Sequence, residues 1–176
     1  MAQVFLHLPA DVHQEVWKHL VPGRRDPEAA CFMFVRHVTQ DDAQVFEHVE
    51  WYPIHPDGFL VRTGYHFELT DETRAKVIKR AHDLGASLVE FHSHTGPWPA
   101  AFSPSDQLGF QEFVPHVWWR LKGKPYLAIV VTQGDFDGLV WMVDPKTPQH
   151  LDGIVVDGTV LTPTQLSSLR YDSNEQ

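Results

Sequence analysis

The chain has 176 residues, of which 43% are hydrophobic and 21% are charged, and this composition predicts one folded domain, residues 1–176, rather than a disordered chain. Its net charge of −9 disfavours nucleic acid as a partner, no apolar run reaches the ~20 residues of a membrane span, and the single cysteine, Cys31, excludes an intramolecular disulfide. The N-terminus also lacks the charged-then-apolar profile of a signal peptide, so we expect a soluble, cytoplasmic protein.

The first half of the sequence predicts one helix followed by strands. The helix, Asp11–Leu20, has an apolar face and is stopped by Pro22-Gly23. Two long apolar segments and two short extended ones follow it, and their composition is typical of strands. The predicted strands are Ala29–Val38, Ala43–Ile54, Phe59–Arg62 and Tyr65–Leu69.

The middle of the sequence predicts helix, strand and helix. Thr70 precedes an acidic first turn and is a good cap for a helix that ends before Gly85. The apolar segment Ser87–His94 then predicts a strand. After a loop, Ser103 and Pro104 have the residue types preferred at the cap and first position of another helix.

The last third predicts strands and turns. Tyr126–Gln133 is strongly apolar, and we expect Asp135–Asp137 to form the turn into a strand at Gly138–Val143. Asp157-Gly158 predicts a hairpin between the segments GIVV and TVLT. Residues 170–176 are polar and we expect a frayed tail. The predicted fold class is α+β, with a mixed, mostly antiparallel sheet flanked by helices.

The segment EFHSHTGPWPAAFSPSD, Glu90 to Asp106, contains residues that can hold a metal. His92 and His94 are two positions apart on a predicted strand, so both imidazoles should leave the same face. Asp106 lies in the first turn of the helix that follows. Two imidazoles and one carboxylate are typical of a catalytic zinc site whose fourth position stays open to water. We therefore expect one Zn²⁺ per chain, although manganese or iron also suits such ligands.

Each of these residues also has an ordinary structural explanation. Two histidines on a strand are commonly surface or packing residues, and Ser103 and Asp106 are both typical of a helix start. It is their combination that indicates a site. Hydrolysis there would need a carboxylate to move a proton and a hydrogen-bond donor for the developing oxyanion, a role open to Ser103.

The order H-x-H, loop, S-x-x-D resembles the motif of the JAB/MPN (JAMM) zinc metallopeptidases. The resemblance covers roughly Asp11 to Val143, and the loop between His94 and Ser103 is one residue longer than the family usually has. It implies a single MPN-like, cytidine-deaminase-like domain with His92, His94 and Asp106 as zinc ligands. In the family a glutamate opens an early strand, often after proline. Pro27-Glu28 occupies that place, so the resemblance implies Glu28 as general base and Ser103 as oxyanion stabiliser.

The residues alone do not decide which carboxylate is the general base. Glu90 lies two positions before His92 and should share its strand face, either as a rival base or as a partner of an imidazole. The order of elements in the family favours Glu28.

By resemblance to bacterial deubiquitinase-like members, we expect a zinc isopeptidase or peptidase that cleaves after the C-terminal tail of a ubiquitin-like protein. Its partners would be that protein, its conjugates or precursor, and a bacterial conjugation system. The alternative is an inactive MPN-type scaffold or binding module, and the intact ligand set argues against it. A DNA-associated relative of the same fold is disfavoured by the acidic charge.

Overall fold

A computed structural model describes residues 2–21, 27–62 and 67–169 of the chain. Within these residues there are three α-helices, one short 3-10 turn at Pro56–Gly58 and eleven strands. The helices are α1 (Ala10–Leu20), α2 (Asp71–Leu84) and α3 (Pro104–Arg120). The strands are β1 (Val4–Leu8), β2 (Ala30–Gln40), β3 (Ala43–Pro53), β4 (Phe59–Arg62), β5 (Phe67–Leu69), β6 (Ser87–Ser93), β7 (Tyr126–Val131), β8 (Phe136–Trp141), β9 (Gln149–His150), β10 (Gly153–Val156) and β11 (Thr159–Leu161).

Nine strands form one strongly curled sheet in the order β11-β10-β1-β3-β2-β6-β7-β8-β9, and β4 pairs with β5. In the large sheet the pairs β1–β10, β1–β3 and β6–β7 are parallel, and the other five pairs are antiparallel. The predicted α+β class with a mixed, mostly antiparallel sheet is therefore confirmed. No helix in the described ranges is long and apolar enough to cross a bilayer.

The sheet separates two apolar layers. One layer, which we call the α1 face, includes Val16 and Leu20 of α1 together with alternate residues of the central strands. The other, the α2–α3 face, includes Val77 of α2 and Val114 of α3 with the intervening strand residues. The central strands are buried on both sides because helices cover both faces, and their continuous apolar runs follow from this.

The predicted helix ends are confirmed where they are described. Thr70 caps α2 by accepting the Thr73 N–H, and Gly85 follows that helix in the left-handed conformation at φ 62°. Ser103 caps α3 with Pro104 in its first turn. The hairpin turn at Asp157-Gly158 joins β10 to β11, with φ angles of 47° and 82°.

Three features differ from the sequence-based predictions. β1 was not predicted, because it is short and its partners β3 and β10 are distant in sequence. The short strand β9 was also missed. The predicted turn at Asp135–Asp137 is wrong at its end, since β8 already begins at Phe136 and Asp137 is a fully buried strand residue. The predicted stop at Pro22-Gly23, the start of a strand at Tyr65 and the tail at 170–176 lie outside the described residues.

Candidate metal centre

Strand β6 carries the first candidate ligand at its end. Ala30 of β2 and Val130 of β7 flank His92 in the register of the sheet. Side chains alternate along a strand, so His92 shares the α2–α3 face with Leu88, whereas Phe91 packs in the α1 face. The imidazole is therefore fixed by a paired central strand, and its side chain is only 2% exposed.

His94 lies just beyond the end of β6 and keeps the strand direction. Its backbone N–H donates to the carbonyl oxygen of Val131 at 3.0 Å, which prolongs the pairing with β7. The two rings stay close, with 3.2 Å between the Nε2 atoms of His92 and His94. The predicted consequence of the two-residue spacing is thus seen in the structure.

The start of α3 presents Asp106 to these rings. Asp106 N–H donates to Ser103 Oγ at 3.1 Å, and Ser103 N–H donates to Asp106 Oδ2 at 2.8 Å. This reciprocal capping box fixes the aspartate rotamer at the helix start. Asp106 Oδ2 lies 3.1 Å from His94 Nε2, and Oδ1 lies 3.4 Å from His92 Nε2.

These three side chains could together hold a metal ion. Among the described residues they form a group of potential ligands whose atoms lie within 4.8 Å of one another. Zinc bonds of about 2.0–2.1 Å at tetrahedral angles place neighbouring ligand atoms roughly 3.3–3.4 Å apart. The separations of 3.1–3.4 Å between the three side chains match that spacing. Because the His94 and Asp106 side chains are 23% and 17% exposed, the group is accessible from one side.

The charges around the group favour a cation. Burial lowers the pKa of His92, but the carboxylates of Asp106, Glu90 and Glu28 outweigh it and raise the pKa above its ordinary value. Burial raises the pKa of Asp106, but its contacts with the two histidines and with Ser103 N–H leave that pKa well below the ordinary range. The same negative field that favours the protonated form of His92 would also attract a metal ion in place of a proton.

Glu28 reaches the site from a third segment, just before β2. Ala29 N–H donates to Ser93 Oγ, and Ser93 N–H donates to Ala29 O, both at 2.9 Å, so the β2–β6 pairing continues past Ala30. Alternation then places Glu28 on the same face as His92, where it is 3% exposed. Its charge contributes to the raised pKa of His92, although Glu28 is not among the three mutually close ligand residues.

Glu90 is also close to His92, as its position on β6 predicts. It is half-buried, and burial is the main reason that its pKa is raised. Its carboxylate lies near the hydroxyl of buried Tyr126, whose pKa is raised by burial and by that carboxylate. The structure therefore brings both candidate bases near His92, one from the segment just before β2 and one from β6.

Two cavities border the ligand group. One, of about 660 Å³, is lined by His94, by the loop around Trp98 and by the turn after β7. The other, of about 430 Å³, is lined by His92, Asp106, Glu90 and the guanidinium-bearing Arg74.

One neighbour of the ligands was missed from the sequence. The ring of Phe102 lies 5.6 Å from the ring of His92 and packs edge-on against Phe110 at 4.9 Å, centroid to centroid. Phe102 therefore joins a ligand to the core of α3. Its only sequence signal is an apolar residue immediately before a helix cap, which many helices have.

Comparison of the sequence with known proteins gives no assignment. No protein-family model matches it, and no curated protein matches it. The candidate function therefore rests on the side chains that meet at the end of β6 and the start of α3.

Proposed function

We propose that the protein is a zinc-dependent hydrolase that cleaves peptide or isopeptide bonds after the C-terminal tail of a ubiquitin-like protein. The observation that carries the proposal is the meeting of His92, His94 and Asp106 beside a buried glutamate and a serine at a helix cap. The MPN-like identity of the domain, 1–176, belongs to the same proposal, and the curled sheet with helices on both faces supports it.

The proposed reaction is the addition of water to an amide. The water oxygen forms a bond to the carbonyl carbon, the C–N bond breaks, and the amine leaves with a proton. When bound, a zinc ion lowers the pKa of a coordinated water to about 7 and polarises a carbonyl group. His92, His94 and Asp106 would hold that ion, each fixed by its own element: β6, the extension of β6 and the first turn of α3.

Glu28 would take the proton of the attacking water and deliver it to the departing amine. Its buried position near His92 supports this role, since a carboxylate in a confined site beside the ligands can reach a water held there. Ser103 would donate a hydrogen bond to the carbonyl oxygen as negative charge develops. A hydroxyl group can accept and donate at once, so accepting the Asp106 N–H leaves that role open.

The cavities on either side of the ligands suit an extended substrate. The loop around Trp98 contributes an exposed indole and prolines to one of them. A flexible C-terminal tail could enter there and place its last carbonyl over the ligand group. We also propose a cytoplasmic location, because the buried thiol of Cys31 is free in the structure.

The test compares Glu28→Gln with Glu90→Gln in cleavage of ubiquitin fused through its tail to a reporter protein. Glu28→Gln should keep about one zinc per chain and lower the cleavage rate by roughly 10²–10⁴-fold, because it removes the proton carrier and no ligand. Glu90→Gln should retain most of the activity. The reverse pattern would assign the base to Glu90, and a zinc-loaded wild-type protein that cleaves no ubiquitin-like fusion would favour the scaffold alternative.

A further inference from the structure

Asp137 is a fully buried carboxylate for which the proposed reaction has no use. It lies on β8, and its Oδ1 and Oδ2 accept the backbone N–H groups of Gln165 and Ser167 at 3.0 and 2.9 Å. A buried carboxylate is costly unless its oxygens are hydrogen-bonded. Asp137 therefore fixes residues 164–168, which we call the C-terminal strap, against the end of the sheet.

The strap in turn is hydrogen-bonded to the loop before α3. Ser167 is 4% exposed, and its Oγ accepts the backbone N–H of Phe102 at 2.9 Å. The sequence of contacts therefore runs from Asp137 to the Ser167 N–H, and from the Ser167 Oγ to Phe102.

Further hydrogen bonds hold the same loop on both sides of the α3 cap. The Thr164 hydroxyl donates to the carbonyl oxygen of Ala100 at 2.6 Å, and the Ala100 N–H donates to Asp135 Oδ1 at 2.9 Å. Beyond the cap, Gln107 Nε2 donates to the carbonyl oxygen of Ser168 at 3.0 Å. The strap thus contacts the chain before and after Ser103.

The held loop touches the ligand group in two ways. The Phe102 ring packs on the ring of His92, and the next residue, Ser103, forms the capping box with Asp106. A displacement of Phe102 would shift an imidazole and a carboxylate together. Metal affinity typically falls when the residues that hold the ligands in place are removed.

We propose that Asp137 and Ser167 are positioning residues for the metal centre, acting through Phe102 and Ser103 on His92 and Asp106. The inference rests on the proposed function of that centre, because it assumes that the three residues hold zinc. Neither positioning residue contacts the ligand group itself. Their effect would be to keep the ligand atoms at the spacing that zinc requires.

The experiment measures zinc affinity in Asp137→Asn and Ser167→Ala by competition with a chromogenic chelator. In the first variant an amide NH₂ replaces one oxygen and faces a backbone N–H, so one of the two strap contacts is lost. In the second, Phe102 N–H loses its acceptor. Each change should raise the zinc Kd by roughly tenfold, the low end of the range for loss of direct partners of metal ligands, because these residues act one contact further away. The visible absorption of bound Co²⁺ should also change, since it reports the ligand arrangement.

Asp152→Asn is the matched control. Asp152 Oδ2 accepts the Val4 N–H at 2.8 Å at β1, away from the ligands, so the variant loses a similar bond without touching the loop. Its zinc Kd and Co²⁺ spectrum should equal those of wild type, even where thermal unfolding shows lower stability.

Zinc affinity and a Co²⁺ spectrum unchanged in both Asp137→Asn and Ser167→Ala would overturn the positioning role, as would an equal loss in Asp152→Asn. A wild-type protein that binds zinc and cleaves no conjugate would overturn the proposed hydrolase alone. A wild-type protein that binds no zinc would overturn both.

Discussion

The two faces of the large sheet are built from the same strands but differ at the end of β6. Toward the α1 face, β6 contributes Val89 and Phe91, which pack in an apolar cluster, and its two buried serines carry no charge. Toward the α2–α3 face it contributes Leu88, Glu90 and His92, so the apolar layer gives way to ionisable groups. The same strand therefore contributes to apolar packing on one side and carries the ionisable residues Glu90 and His92 on the other.

The two faces therefore differ in the kind of residue they bury: mainly residues that stabilise the fold on one, and residues that could take part in a reaction on the other. Burial of apolar area stabilises the fold in proportion to the area removed from water, and the apolar cluster of the α1 face contributes in this way. Burial of Glu28 and His92 instead opposes folding unless hydrogen bonds and opposite charges compensate. A buried ionisable residue that opposes folding is therefore a candidate for function. We expect substitutions on the α1 face to lower stability and substitutions on the α2–α3 face at the ligands to lower metal binding.

The largest expected effect is the loss of metal in His92→Ala. Removing one of three protein ligands should abolish stoichiometric zinc binding, and with it hydrolysis, while the fold persists. The measurement is zinc content after dialysis, beside the control His37→Ala, whose exposed ring bonds Gln44 far from the site. Zinc retained in His92→Ala, or lacking in wild type after zinc is supplied, would contradict the ligand assignment.

The next-largest effect tests whether metal binding is independent of packing in the α1 face. Leu6→Ala on β1 removes a fully buried side chain and should lower the free energy of unfolding by about 2–5 kcal/mol. Zinc affinity of the folded variant should match wild type, because β3 and β2 lie between β1 and β6. Urea unfolding with and without zinc measures both quantities. A large drop in affinity would show that the two faces are coupled.

The smallest expected change in stability distinguishes a helix cap from a catalytic hydroxyl. Thr70 and Ser103 each accept an N–H at 3.1 Å at the start of a helix on the same face. Thr70→Ala and Ser103→Ala should both lower the free energy of unfolding by about 1 kcal/mol. Ser103→Ala alone should lower kcat, by roughly 10²–10³-fold. Equal kcat in the two variants would leave Ser103 with a structural role only.

Much of the candidate site could be predicted from the sequence because it depends on local rules. Strand alternation predicts that His92 and His94 share a face, and residue preferences at a helix start predict Ser103 as the cap. That the helix start faces the histidines is not a local property. The combination of residue types suggested it and the family resemblance implied it, together with Glu28; the structure places Asp106 within 3.4 Å of both histidines.

Other features could not be predicted because they depend on pairing between distant segments. β1 lies in the sheet between β3 and β10, and a five-residue segment gives little indication of partners so far along the chain. Asp137 has the composition of a turn residue beside Asp135, and only the returning strap explains its burial. The contact of Phe102 with His92 likewise requires the loop to be folded back.

The burial of Cys31 has a practical consequence. This thiol is fully enclosed in the α1 face, and burial raises its pKa, so the reactive thiolate is scarce in the folded chain. Alkylating reagents should then modify it only when that layer opens. The rate of labelling of Cys31 would therefore measure how often this layer opens in the wild-type protein. In Trp98→Cys, the new cysteine would be the one that reacts fast, so a fluorescent probe could be attached beside the ligands.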